Sequence, residues 1–250
     1  MPVNFKGKIS EKLNKLQIIL EMPGACKARI VGCSLEMYKM IYPLYIMGIK
    51  PRTILDIGAY LGIFSKCANY IFPDAAIYAF EPLKDRYEEL CGLKGEIDKL
   101  ECYNVALAEK AGETFIHRSS RDYSSSLLEM DDLHKEAFPD TAGERLEKVQ
   151  IQTLNKILAG KNLTKPILMK IDVQGYEKFV LDGADKVIEE VDYIICEMSF
   201  RTLYKGQPLF DAVYRQLNGF GFRFYGPLAE RRHPKTSEVL QIDGLFIRQK

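Results

Sequence analysis

The hydrophobic pattern of the chain has two regimes. In residues 8–20 the apolar positions Ile9, Leu13, Leu16, Ile19 and Leu20 fall at helical spacing, and residues 36–47 predict a second helix, bent or broken at Pro43. From Thr53 onward, short apolar runs alternate with amphipathic stretches: strand 53–57, helix 63–71, strand 77–80, helix 84–93, strand 100–105. "PILMKIDV" (166–173) and "DYIICEM" (192–198) read as a fourth and a fifth strand. Continuous apolar strands separated by amphipathic helices predict a parallel sheet buried on both faces. Residues 222–225 and 245–248 are expected to close the sheet as a terminal pair containing an antiparallel strand. The fold class expected is therefore α/β, with residues 1–50 a helical N-terminal extension and residues 51–250 the main domain.

One stretch breaks the alternation. Residues 118–147 turn polar, with many Ser and Asp and few β-branched residues. Long polar segments in compact domains are often binding loops or lids, so this one is expected to lie over a ligand crevice.

Composition narrows the function classes. The 250 residues carry 35 basic and 34 acidic side chains, a formal net charge of +1, and the two signs alternate along the chain. No basic block tracks a nucleic-acid backbone, and no polybasic run marks a membrane partner. The most apolar long stretch, residues 30–49, contains Glu36, Lys39 and Pro43, which excludes a membrane span there. The N-terminus lacks the apolar core of a signal peptide. Six scattered cysteines without a C-x-x-C pair suggest reduced thiols in the cytoplasm. The partner expected is a small molecule, with neither nucleic acid nor membrane.

The candidate chemistry centres on "TILDIGAYLGIFS", a strand, a glycine turn and a helix start. In open parallel sheets, ligands bind beyond the carboxyl ends of the strands. Asp56, Gly58, Ala59, Tyr60 and Gly62 form the first such end. Glu81 and Pro82 form the second, with Glu81 19 residues after Gly62 and placed to accept hydrogen bonds from ribose hydroxyls. Val105 and Ala106 form the third. A dinucleotide fingerprint reads G-x-G-x-x-G, whereas this turn reads D-x-G-x-x-x-G. A pyrophosphate beside Asp56 would meet like charge. S-adenosylmethionine has no phosphate, and Asp56 would balance its ammonium directly or through water. The cofactor expected is therefore S-adenosylmethionine, although Asp56 could instead cap the turn. No H-x-x-H spacing argues for a metal.

Several separated motifs then resemble one family, the FkbM-type methyltransferases: "ILDIGAYLGIFS", "YAFEPLKDRYEEL", "NVALAEKAGE", "SSSLLE", "VQIQTLNKIL", "ILMKIDVQGYEKFVLDGA" and "YIICEM". They occur in the family's order and span residues 53–197. The resemblance implies a Rossmann-like methyltransferase fold and methyl transfer to oxygen, often a hydroxyl of a sugar or secondary metabolite. Two departures stand out. Tyr60 and Leu61 replace the family's usual Asn and a variable residue, and Gln174 replaces the Glu of the family's usual KIDVEG.

Methyl transfer to a hydroxyl calls for a base as the bond forms. Asp172, at the end of the fourth strand, is the candidate catalytic residue, or it fixes the turn at Gly175. Lys170 shares its strand face and is expected to pair with Asp172 or Glu197. Ser125, Ser126, Gln174 and Glu197 are candidate substrate contacts, and Glu177 is expected to brace the following helix. His117, His134 and His233 are expected at the surface. The competing functions are an NAD-linked oxidoreductase and a non-catalytic S-adenosylmethionine-binding module, the latter favoured by Gln174.

Overall fold

The computed structural model describes residues 5–249. The side chain of Ile9, one of the helical positions above, lies outside the described residues. Three helices come first: α1 (Phe5–Glu21), α2 (Ala25–Ile30) and α3 (Leu35–Ile46). The Ser34 hydroxyl caps α3 by accepting the Met37 N–H. The expected break at Pro43 does not occur. The proline sits inside a continuous α3, and the ladder resumes with Met47 N–H donating to the Pro43 carbonyl at 3.0 Å. The carbonyl left without its N–H belongs to Lys39, an exposed residue. Burial of Tyr38, Ile41 and Leu44 holds the two halves of the helix in line.

The alternating part follows as β1 (Thr53–Ile57), α4 (Ile63–Ile71), β2 (Ala76–Phe80), α5 (Lys84–Cys91) and β3 (Leu100–Tyr103), then β4 (Ala106–Leu107), β5 (Gly112–Ser119), α6 (Asp132–Ala137), β6 (Glu144–Gln152) and α7 (Leu154–Ile157). The chain ends with β7 (Ile167–Ile171), α8 (Glu177–Asp182), α9 (Asp185–Ile188), β8 (Tyr193–Ser199), α10 (Phe210–Gly219), β9 (Phe222–Arg232) and β10 (Val239–Arg248).

Seven strands form a Rossmann-like sheet in the order β3-β2-β1-β7-β8-β10-β9. β3, β2, β1, β7 and β8 run parallel, and β10 inserts antiparallel between β8 and β9. The strand expected over 100–105 stops at Tyr103. Ala106 and Leu107 leave the main sheet and join a second one, β4-β6-β5. The terminal pair is longer than its most apolar segments, because the mostly buried β10 keeps pairing with a β9 whose residues beyond Phe222 are exposed or half-buried.

One face of the main sheet carries Ile54, Leu168, Ile195 and Leu245, and it shares a single core with Ile18, Ala28 and Ile41 of the N-terminal helices. The other face packs Leu55, Met169 and Phe246 against Val180 and Leu217 of α8 and α10. Among the described residues no helix is long and apolar enough to cross a membrane.

The polar stretch 118–147 is more ordered than its composition suggests. It holds the end of β5, a 3-10 turn at Asp122–Ser124, α6 and the start of β6. Its anchor is Arg118, which is 7% exposed. Its guanidinium donates to Asp122 at 2.8 and 2.9 Å, to Asp85 of α5 at 2.6 and 3.0 Å, and to Glu147 at 3.0 Å. These partners hold the Arg118 charge and in turn push the Asp85 and Asp122 carboxyls below their usual range. Arg118→Met is expected to cost about 3 kcal/mol, the low end for breaking a buried ion pair, because Asp85 and Glu147 reach water. Urea denaturation measures this, and a loss under about 1 kcal/mol would show that the anchor is only a surface contact.

Candidate active site

The β1–α4 turn fits because of one glycine. Gly58 has φ +81°, and a Cβ built there would lie 1.9 Å from the Asp172 carbonyl oxygen. The ends of β1 and β7 therefore meet without room for any side chain. Two residues on, Tyr60 has φ +51°, which aims its N–H at Glu81 Oε2, 2.8 Å away. The other oxygen, Oε1, accepts the Leu83 N–H at 2.9 Å. The Asn104 amide donates to the Glu81 and Pro82 carbonyls and fixes this second strand end. Burial pushes the Glu81 carboxyl up to about 7, against the two backbone N–H groups that favour its charged form.

Beside these turns lies an open-mouthed cleft. Of the residues expected to bind cofactor, Gly58, Tyr60, Glu81, Pro82, Val105 and Ala106 line it, as do Ser125, Ser126, Asp172 and Gln174 of the catalytic and substrate set. Glu81, Asp122 and Asp172 supply its ionisable carboxyls, and no Lys or Arg is in its wall.

Four expected residues lie elsewhere. Ala59 and Gly62 shape the turn from behind; a Cβ on Gly62 would lie 2.5 Å from Leu93. Asp56 is fully buried, and its Oδ2 accepts the Ser65 hydroxyl at 2.6 Å. The Ser65 bond ties its carboxyl to α4, and Asp56 is not among the residues that line the cleft. Glu197 lies one strand further on, outside the cleft wall.

Glu197 belongs to a polar cluster on the same sheet face. Lys170, 3% exposed, donates to Asp172 Oδ2 at 3.0 Å, the pairing expected from their shared face. Gln174 Nε2 donates to Asp172 Oδ1 at 2.8 Å and to Glu197 Oε2 at 3.0 Å. Gln174 itself sits in the left-handed region, φ +56°, and its Oε1 accepts from the Tyr204 hydroxyl at 2.8 Å. The Ser126 hydroxyl donates to the Gln174 carbonyl at 2.7 Å. Glu177 Oε1 accepts the Val173 and Gly175 N–H groups at 3.1 and 3.0 Å, and so braces the turn into α8.

The electrostatics of the cluster are uneven. Burial acts to raise the Asp172 carboxyl, but the Lys170 charge and the Gln174 and Lys170 hydrogen bonds outweigh it and hold it below its usual range. Burial and then the Asp172 charge push Glu197 well above its range. The same two causes raise Asp243, in register with Glu197 on β10, to about 6.

Tyr204, Asp122, Asp243 and Gln241 were not anticipated from the sequence. Gln241 is 1% exposed, and both its side-chain polar atoms lack a partner among the described residues. The signal for Asp243 was present as a lone carboxylate inside "LQIDGLFI", hidden because the strand was expected to begin at Leu245. The histidines stay out of the cleft wall. His134 and His233 are buried rather than at the surface. Burial lowers His134 to about 4, and His233 Nδ1 accepts the N–H groups of Lys235 and Thr236. Among the described residues no group of His, Cys, Asp or Glu could hold a metal.

This geometry can now be set beside known proteins. The chain is 25% identical over 194 residues to the 2-O-methyltransferase NoeI of Sinorhizobium fredii, covering 75% of this chain and 79% of that protein. Among solved structures it resembles the magnesium protoporphyrin IX methyltransferase of Synechocystis PCC 6803, determined with bound SAM (10% identity, 100% and 86% of the two chains, TM-score 0.47). It also resembles a SAM-dependent methyltransferase of Aquifex aeolicus (11% identity, 93% and 98%, TM-score 0.43). Residues 56–224 match the methyltransferase FkbM domain, more than half of the chain and both of the strand ends that meet at Gly58. The chain belongs to the FkbM methyltransferase family and is a methyltransferase.

Proposed function

We propose that this enzyme transfers the methyl group of S-adenosylmethionine to a hydroxyl of a small polyhydroxylated acceptor, a sugar or a secondary metabolite. The observation that carries the cofactor assignment is Glu81, a carboxyl at the cleft wall with each oxygen held by one backbone N–H, whereas the other two wall carboxyls are ion-paired, Asp122 with Arg118 and Arg86 and Asp172 with Lys170. Among the described residues no Lys or Arg lines the cleft to receive a pyrophosphate, which favours S-adenosylmethionine over NAD. The residues present fit the cofactor. Each Glu81 oxygen is pinned by one backbone N–H, which leaves lone pairs for ribose hydroxyls. Gly58 lets the main chain approach closely.

When bound, the cofactor supplies a methyl group made transferable by its positive sulfur. The protein supplies alignment and a place for the proton. Asp172, held ionised by Lys170 and Gln174, accepts the acceptor's hydroxyl proton as the new O–C bond forms. Ser125, Ser126 and Gln174 line the cleft beside it and offer hydrogen-bonding atoms to neighbouring hydroxyls, and Glu197 supports Gln174 from behind. The relative named as a 2-O-methyltransferase supports oxygen as the receiving atom. The free cysteines support a reducing, cytoplasmic setting, and residues 1–50 act as a cap on the domain of residues 51–250.

Gln174 does not favour a decayed site. Its amide donates to the Asp172 carboxylate, which a glutamate would repel, and to the Glu197 carboxyl.

Three outcomes are expected. Glu81→Ala weakens S-adenosylmethionine binding by about one to two orders of magnitude, the loss of a charge-assisted acceptor of about 1.5–3 kcal/mol. Glu81 is raised to about 7, so wild-type affinity falls as pH drops through that value, and Glu81→Gln flattens the dependence. Isothermal titration at pH 6 and pH 8 measures both effects, and equal affinity of Glu81→Ala and wild type refutes the placement.

Asp172→Asn keeps the shape and removes the charge. Turnover, followed with methyl-labelled cofactor and a metabolite extract, drops by about two orders of magnitude or more, and cofactor affinity changes little. Equal turnover of Asp172→Asn and wild type would sink this assignment.

Gln174→Glu brings a third carboxyl beside Asp172 and Glu197. Burial and like charge raise the folded-state pKa of the new group, so its contribution to stability is present at low pH and lost as pH rises through that pKa. The melting temperature of the variant therefore lies further below wild type at pH 8 than at pH 5. An equal or smaller deficit at pH 8 contradicts the repulsion described here.

A further inference from the structure

The N-terminal cap exposes what a folded domain normally hides. On α1, Leu13, Leu16 and Leu20 are 60%, 52% and 76% exposed. At about 100° per residue they fall within about 60° of one another, on the side of the helix opposite the buried Ile18. α1 is thus apolar on two sides, and only one of them meets the core. The exposure continues elsewhere in the cap, at Ile30 (79%) and Ile46 (65%).

Charge is distributed unevenly too. Residues 1–50 hold eight Lys and Arg against three Glu, a surplus of five, whereas residues 51–250 hold 27 against 31, a deficit of four. Beyond residue 51 the surface is laced with ion pairs, such as Lys66 with Glu96 and Lys148 with Glu113. In the cap, Lys12, Lys27, Arg29, Lys39 and Lys50 make no ion pair with any described residue.

Exposed leucines on one face of a helix, in a cap that also carries cations without ion-pair partners among the described residues, match the surface of an interfacial helix. A second copy of the chain is a poorer occupant, because a two-fold interface through α1 would set one basic cap against another. A bilayer with anionic headgroups answers both features: apolar side chains enter the headgroup–acyl boundary while the cations meet the lipid charge. The expectation of no membrane partner rested on the lack of a spanning run and of a contiguous basic block, and an interfacial helix needs neither.

We propose that the α1 face of Leu13, Leu16 and Leu20, with the unpaired cations of the cap, seats this protein on an anionic membrane surface.

Co-sedimentation of the full chain tests this, using vesicles of phosphatidylcholine alone and of an equal mixture with phosphatidylglycerol. The protein is expected to pellet with the mixed vesicles, much less with phosphatidylcholine, and to be released by high salt. Two variants probe the two features separately: Leu13→Ser with Leu16→Ser and Leu20→Ser, and Lys12→Glu with Lys27→Glu and Arg29→Glu. Each should bind mixed vesicles more than tenfold more weakly while keeping wild-type circular dichroism and S-adenosylmethionine affinity. The charge variant leaves every core residue in place, so it decides the matter if the leucine variant fails to fold. Wild type that stays in the supernatant with both vesicles overturns the proposal, as does equal binding to neutral and anionic lipid. A wild-type dimer in sedimentation velocity that the leucine substitutions dissociate assigns the face to a second copy instead.

Discussion

One buried ammonium governs the active-site edge of this enzyme. Lys170 is 3% exposed, and strand register places carboxyls from four strands on its face: Asp56 on β1, Asp172 just past β7, Glu197 on β8 and Asp243 on β10. The Lys170 ammonium, aided only by the more distant charge of half-buried Arg231, cannot balance four negative charges away from water, so the carboxyls divide. Asp172 touches the ammonium and stays charged, whereas burial and mutual repulsion push Asp56, Glu197 and Asp243 upward. Gln174 belongs to the same balance. Its neutral amide ties the Asp172 carboxylate to the Glu197 carboxyl without adding a charge, and Tyr204 fixes which way the amide points.

The cofactor side is organised by main chain rather than by charge. Because Gly58 lets β1 and β7 touch, Asp172 stands at the rim of the same cleft that Glu81 enters from β2. The unusual φ of Tyr60 serves the same end, since it delivers the N–H that holds one Glu81 oxygen. Over this floor lies the segment anchored by Arg118, which carries Ser125 and Ser126 to the cleft wall. Alignment is what a methyl transfer needs most from a protein, and here it comes from strand ends and turns that cannot relax independently.

The parts of this arrangement that follow from local periodicity were legible in the sequence. The five parallel strands, α4 and the glycine turn all have clean patterns, and Asp172 with Lys170 follows from alternation alone. What escaped depends on contacts distant in the chain. The small sheet β4-β6-β5 pairs residues 106–107 with 151–152, and no local signal announces that partner. Polar composition in residues 118–147 suggests a lid, because the buried guanidinium of Arg118 meets its three acidic partners only once the fold gathers them. Asp56 reads as a ligand group because it lies beside the turn, and its bond to Ser65 exists only once α4 packs on β1.

The central claim, a cleft built for a cationic methyl donor and not for a dinucleotide, is tested most directly by isothermal titration of the purified chain with S-adenosylmethionine and, separately, with NADH. Saturable binding of S-adenosylmethionine with no heat from NADH is the predicted result. Saturable binding of NADH with none of S-adenosylmethionine would contradict it.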